Sequence, residues 1–386
     1  MKPLTGVRVL ELARILAGPW AGQLLADLGA EVIKVERPNS GDDTRNWGPP
    51  FIVGNDGVDL GAAYFHSCNR GKTSITVDLE SETGQAEIKT LVESSDVLIE
   101  NFKVGGLCKY GLDAKSLRAT NPKLVYCSIT GFGQTGPYAP RAGYDFMIQG
   151  LGGIMDLTGD PAGEPQKTGV AFADIFTGVY AVVAILGALR ERDSTGVGCH
   201  IDMALLDTLV GVLGNQAMNY LASGEAPSRL GNAHPNIAPY QTFRIADGFV
   251  IIAVGNDNQF AKLCAELGLP HLAVDPRFAT NPARVRNREQ LSKALGVALE
   301  ARGRDELLGR LVTAGVPAGP INTVADVFSD PQIIARGMRI DLMSASGLIP
   351  GIASPIVIDG ERLVAKTPSP RLGDGNSNSA GGTKNA

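Results

Sequence analysis

Apolar and polar residues fall into short blocks along the first third of the chain, and the period changes from block to block in a regular order. Residues 7–12 (Val-Arg-Val-Leu-Glu-Leu) read as a strand, residues 20–28 as a helix that opens after Gly18-Pro19 and stops at Gly29, and residues 31–36 as a second strand. Strand, helix and strand joined by short connections predict a parallel pair with a right-handed crossover. The pattern recurs: residues 74–79 read as a strand, 83–93 as a helix, 96–100 and 123–130 as strands, the last ending at Gly131-Phe132-Gly133. This alternation predicts an α/β, Rossmann-like domain built on a largely parallel sheet.

Further on the texture changes. Residues 175–189 are strongly apolar, and residues 204–221 read as one long helix. Residues 224–239 are rich in Gly, Pro, Ser and Asn and read as a loop. Two short strands are expected around Asp247-Gly248, then helices over 260–267, 288–301 and 305–314, and β-like sequence returns from Gly337. The expected organisation is a large domain of residues 1–205 completed by 335–372, a linker helix over 206–224, and a smaller α+β domain over 225–330. The Gly/Asn/Ser-rich stretch 373–386 reads as a disordered tail.

A length of 386 residues suits two domains, and 44% hydrophobic with 19% charged residues can fill their cores. The net charge of −5, without a dense Lys/Arg run, gives no reason to expect nucleic acid. Cys68, Cys108, Cys127, Cys199 and Cys264 are scattered without CxxC spacing, and His66, His200, His234 and His271 form no metal-ligand pair. No metal is therefore expected. With no apolar signal core after Met1, a reducing cytoplasm is the expected location. The apolar run 175–189 is shorter than the roughly 20 residues a span needs. Arg190-Glu191-Arg192 closes it, so a buried helix is expected rather than a membrane segment.

The chemistry narrows to carboxylates. The Gly18-Pro19 turn lacks the glycine spacing of a dinucleotide fingerprint, although Glu36, at the end of the second strand, stands where a ribose-binding acid would. Neither GxxxxGK[ST] nor GxSxG occurs. Two patches follow expected strand ends: Arg141-Ala142-Gly143-Tyr144-Asp145 with Gln149-Gly150, and Asp174 before the apolar helix. Asp174 fits two roles, a helix N-cap or a carboxylate nucleophile whose anion the helix end favours.

At these residues the chain resembles the class III CoA-transferases, the family of formyl-CoA transferase and carnitine CoA-transferase. The motifs run from Ala17-Gly18-Pro19 through residues 28–38 and Gly41-Asp42 to Asn69-Arg70-Gly71-Lys72. They continue through Glu100-Asn101-Phe102, residues 128–133, Gly143-Tyr144-Asp145, Ala173-Asp174 and residues 315–321. Residues 44–51 and Asn232-Ala233-His234 are most similar to the succinate–hydroxymethylglutarate, dicarboxylate-using type.

The resemblance implies an interlocked homodimer whose substrates are a CoA thioester and a carboxylic acid, with no permanently bound cofactor. It implies succinyl-CoA as donor, with glutarate, hydroxymethylglutarate, itaconate or malate as acceptor. The family's nucleophile falls on Asp174, and Asp145 and Tyr144 complete the candidate catalytic set. The CoA-binding positions fall on Leu16, Ala17, Arg37, Val77, Asp78, Leu79, Glu80, Asn101, Phe102, Lys103, Lys109, Ala142 and Gly143. Arg45 is a candidate anchor for a second carboxylate, and Gly231, Asn232 and His234 a candidate substrate loop, shorter than the glycine-rich loop of formyl-CoA transferase. The α-methylacyl-CoA racemases share the architecture but place a histidine where Tyr144 stands. A catalytically inactive CoA-binding protein is a further alternative, raised by the polar tail that replaces the family's last helix.

Overall fold

The computed structural model describes residues 2–55 and 57–376. Six strands form one parallel sheet: β1 (Arg8–Glu11), β2 (Glu31–Glu36), β3 (Lys72–Thr76), β4 (Val97–Glu100), β5 (Val125–Thr130) and β6 (His200–Ala204). Their spatial order is β3-β2-β1-β4-β5-β6. The order reverses between β1 and β4. The loops that leave these two strands therefore part at the carboxyl edge of the sheet and open a crevice between them.

Helices α1 (Ala17–Asp27), α2 (Glu82–Glu93), α3 (Ala114–Thr120), α4 (Asp145–Leu151), α5 (Phe172–Thr195) and α6 (Leu205–Val212) cover the sheet. An apolar core of Leu10, Leu98, Ile88, Val92, Leu117 and Tyr126 lies between the strands and α2 and α3. Helix α5 is long and apolar enough to cross a membrane by length and composition alone, a longer helix than the sequence pattern predicts. Ala173, Thr177, Ala181, Ile185 and Leu189 bury one of its faces.

Beneath the amino end of α1 the core turns ionic. Lys34 Nζ, fully buried, lies 3.0 Å from both Glu11 Oε1 and Asp42 Oδ2, and Lys72 Nζ lies 2.8 Å from Glu11 Oε2. Such charges stay inside only when each is paired and hydrogen-bonded. A Cβ at Gly22 would overlap the Glu11 carboxylate. Gly22→Ala is therefore expected to cost about 1–3 kcal/mol. A lowered urea midpoint at unchanged slope is the readout, and an unaltered midpoint would contradict this packing.

Residues 154–167 and 214–329 form a second compact unit. An antiparallel sheet of Tyr240–Ile245, Gly248–Ala253 and Ala318–Pro320 carries its helices, and Phe243, Val250, Ile252, Phe260, Leu263, Leu295 and Leu311 fill its own core. The first unit resumes at residue 330. Gly71 N donates to Thr367 O at 3.1 Å, Ala365 N to Asp27 Oδ1 at 2.8 Å, and Gly375 N to Ser74 O at 2.8 Å.

Two expectations need correction. The single helix over 204–221 is a strand end, α6, and a separate helix Asn215–Ser223. Gly214 breaks it at φ +54°, and the boundary between units falls there rather than at a linker helix. The expected disordered tail begins too early. Residues 373–376 are pinned to β3, with Asn376 Oδ1 accepting from Thr76 N at 2.9 Å. The remainder of that expectation, 377–386, lies outside the described residues.

Candidate active site

Helix α5 begins at Phe172 behind Ala171, whose side chain has nothing to offer as a cap. Asp174 is the third helical residue, so an N-cap is not the role it plays. The cap comes from elsewhere in the chain. Asp145 Oδ1 accepts from Ala173 N at 2.8 Å and from Asp174 N at 3.3 Å. Asp145 Oδ2 accepts from Gln149 Nε2 at 2.7 Å, and the buried Gln149 Oε1 accepts from Thr168 N at 2.9 Å. One carboxylate and one amide thus bind the start of α5 to α4 and join the two patches.

This proximity reverses the expected electrostatics of Asp174. Burial, and then the Asp145 carboxylate, push its pKa up to about 7. The helix end does not outweigh them, so Asp174 stands near its midpoint at neutral pH. Tyr64 lies within electrostatic range. Burial first and Asp174 next push its phenol up to about 12. Trp47 meets the Tyr64 ring edge-on at 5.3 Å. Nothing in the sequence singles out Tyr64, because only the fold brings it towards Asp174.

Asp174 opens onto a cavity of about 410 Å³. Arg14, Ile15, Leu16 and Ala17 line it after β1, and Asn101, Phe102, Lys103, Lys109 and Tyr110 after β4. Gly131, Ala142, Gly143 and Tyr144 also line it. A Cβ on Gly131 would sit 2.6 Å from the Gly143 Cα, so these two loops meet only because both residues are glycine. A second cavity of about 420 Å³ is lined by Arg37, Val77, Asp78, Leu79 and Glu80, and shares Arg14, Phe102 and Tyr110 with the first. The expected CoA-binding positions therefore divide between two adjoining cavities at the reversal point of the sheet.

Cations surround this space. Asp43 bridges Arg14 and Arg37, each at 2.6 Å, while Arg141 stacks on Tyr138 with 4.1 Å to the ring centroid. Lys109 lies 4.4 Å from the Tyr110 centroid. Among the described residues no group of three or more His, Cys, Asp or Glu could hold a metal ion.

Three of the expected positions have partners of their own within the chain. Arg45, the expected carboxylate anchor, is engaged within the chain. Its Nε and Nη2 donate to the buried Glu36 carboxylate at 2.8 and 2.6 Å, and it stacks 3.8 Å from the Phe65 centroid. Glu36 consequently holds Arg45 and Ser74 rather than a ribose. Gly231, Asn232 and His234 belong to the second unit. There Asn232 Nδ2 donates to Thr242 Oγ1 at 3.1 Å, and the His234 ring lies 5.2 Å from that of Tyr240.

Comparison with known proteins gives concordant matches. The profile of CoA-transferase family III matches residues 4–376. The chain is similar to the succinate–glutarate CoA-transferase of Agrobacterium fabrum, 56% identical over 373 residues, spanning 96% of this chain and 93% of the relative. It is 44% identical over 342 residues to the succinyl-CoA:glutarate CoA-transferase of Mus musculus, spanning 89% of this chain and 77% of the relative. Its fold matches the crystal structure of a CaiB/BaiF family protein from Brucella suis. The TM-score is 0.87 at 62% identity, over 98% of each chain.

Proposed function

The chain belongs to CoA-transferase family III, and from that premise we propose that it moves CoA from succinyl-CoA to a dicarboxylate such as glutarate through an aspartyl-CoA thioester on Asp174. The observation that carries this reading is the placement of Asp174. It sits on a cavity wall, on a helix turn held by Asp145, among the positions that suit a CoA thioester.

In the first step the Asp174 carboxylate oxygen attacks the succinyl carbonyl, and the carbon–sulfur bond breaks to give an aspartyl–succinyl anhydride and CoA thiolate. The thiolate then attacks the aspartyl carbonyl, and succinate leaves with the bridging oxygen. The acceptor carboxylate attacks the aspartyl thioester, releasing thiolate again. Thiolate attack on the acceptor's carbonyl yields the new acyl-CoA and regenerates the Asp174 carboxylate. One thioester replaces another, so no external energy source is required.

The adjoining cavities suit the length of the cofactor-like substrate, with Arg37 and Lys109 as partners for its phosphates. Homodimeric assembly belongs to the same proposal. It is supported by apolar side chains left exposed on α4 and α5, among them Phe146, Met147, Tyr180 and Val183. A cytoplasmic location is likewise proposed, in keeping with five free cysteines.

Incubation with succinyl-CoA followed by borohydride should reduce the aspartyl thioester, and peptide mapping should find the modified side chain at residue 174. An unmodified Asp174 under conditions of active transfer would sink the covalent mechanism.

A further inference from the structure

The loop between β1 and α1 supplies Arg14, Ile15, Leu16 and Ala17 to the cavity, and side chains from other elements hold it peptide by peptide. Lys34 Nζ donates to Ala13 O at 2.9 Å. Asn101 takes both sides of Arg14, accepting from its N at 2.9 Å and donating to its O at 2.7 Å. Asp42 accepts from Ile15 N with its two oxygens at 3.3 and 3.2 Å. Ile15 itself has φ +74°, a left-handed conformation that a β-branched side chain strongly disfavours. Strain of this kind persists only where the surroundings over-determine it.

Asp42 is well placed to over-determine it. It is fully buried, lies 3.0 Å from Lys34 Nζ, and accepts from Thr44 N at 3.0 Å and Thr44 Oγ1 at 2.8 Å. Burial alone would raise its pKa. The Lys34 charge and the Thr44 amide outweigh burial and hold the carboxyl below its ordinary range, so Asp42 accepts as an anion.

We propose that Asp42 is a positioning residue for acyl-CoA: it enforces the left-handed turn at Ile15 that presents Leu16 and Ala17 to the cavity beside Asp174. The proposal rests on the reading of that cavity as the seat of CoA. Were Ile15 to relax to negative φ, the peptide joining it to Leu16 would rotate and the cavity wall would change shape. Only molecules in the strained conformation then bind, and apparent affinity falls by their fraction.

Asp42→Asn places an amide donor where an oxygen faces Lys34 or Ile15 N. Calorimetry with CoA should show binding weakened about 10-fold, with KM for acyl-CoA raised to match and kcat little changed. Glycine takes positive φ freely, so in an Ile15→Gly background, where the lost side chain is common to both proteins, adding Asp42→Asn should weaken CoA binding by no more than about 2-fold while still lowering the melting temperature. That separation distinguishes positioning from loss of stability. Wild-type affinity in Asp42→Asn, or an undiminished loss of about 10-fold on adding Asp42→Asn to Ile15→Gly, overturns the proposal. If Asp42→Asn does not fold, Ile15→Pro leaves Asp42, Lys34 and Glu11 in place but fixes φ near −65°. It should lose CoA binding at least as strongly, and a folded Ile15→Pro with wild-type affinity would equally overturn the proposal. Calorimetry reads binding alone, so a failed trap at Asp174 would strike the covalent mechanism and leave this comparison intact.

Discussion

Asp174→Ala is expected to remove transfer activity by at least about 10⁴-fold, because the proposed route passes through a bond to its carboxylate. The variant should fold, since the cap of α5 is Asp145 and not the substituted residue. A variant that no longer unfolds cooperatively would instead make Asp174 a structural residue. Asp174→Asn gives a second, opposite readout. The folded-state pKa of about 7 lies above the unfolded value near 3.9, so the folded state binds more protons between these limits. Stability of the native protein therefore falls as pH rises from about 4 to about 7, and the penalty is complete above that. Asparagine cannot ionise and escapes it. At pH 8 Asp174→Asn should be the more stable protein by on the order of 1–3 kcal/mol, a range kept modest because the site opens to water. Urea unfolding across pH measures this, and a constant difference between the two proteins would contradict the assignment. In the same titration kcat/KM of the native enzyme should rise as pH passes about 7, because in the proposed mechanism only the ionised carboxylate attacks.

Asp145→Ala should reduce kcat by about 10²-fold, the cost of misplacing a nucleophile by about 1 Å. Loss of the bonds to Ala173 N and Asp174 N removes a helix cap, worth about 1–2 kcal/mol of stability. The same substitution removes the acceptor of Gln149 Nε2 and loosens the hold of Gln149 on Thr168. The decisive observation is the pH profile. Asp145 is the second cause of the raised Asp174 pKa, so its removal should carry the acid limb of kcat/KM to lower pH even as the plateau drops. A reduced rate with an unmoved acid limb would mean that Asp145 does not act on Asp174 through charge.

Much of this arrangement is legible in the order of residues alone. The apolar runs ending at Leu12, Glu36, Glu100 and Thr130 locate strands because a parallel sheet buries both faces, and the loops after them locate the crevice. Other features have no local signature. β6 merges with a helical pattern because His200–Ala204 is short and abuts the helical run of α6. Asp174 resembles an N-cap because a carboxylate near a helix start is the usual sign of one. Its actual cap lies 29 residues earlier and is set by tertiary contact. Arg45 invites a substrate role as an arginine between polar neighbours. Only the fold shows that Glu36 already occupies it. Tyr64 and the strained Ile15 depend on backbone geometry and long-range placement, to which residue periodicity is blind.

The return of the chain to β3 bears on biosynthesis. Strand β3 lies at the edge of the parallel sheet, and the contact between Thr76 and Asn376 spans 300 residues. At about 5–20 residues per second, a ribosome needs roughly 15–60 s between releasing one partner and the other. Throughout that interval β3 must wait without its final cover, an exposed edge that other strands can pair with. The second unit has its own core and nearly continuous sequence, so it is able to mature within the same interval. The order of assembly is thus written into the connectivity: the part bearing Asp174 is the last to be completed.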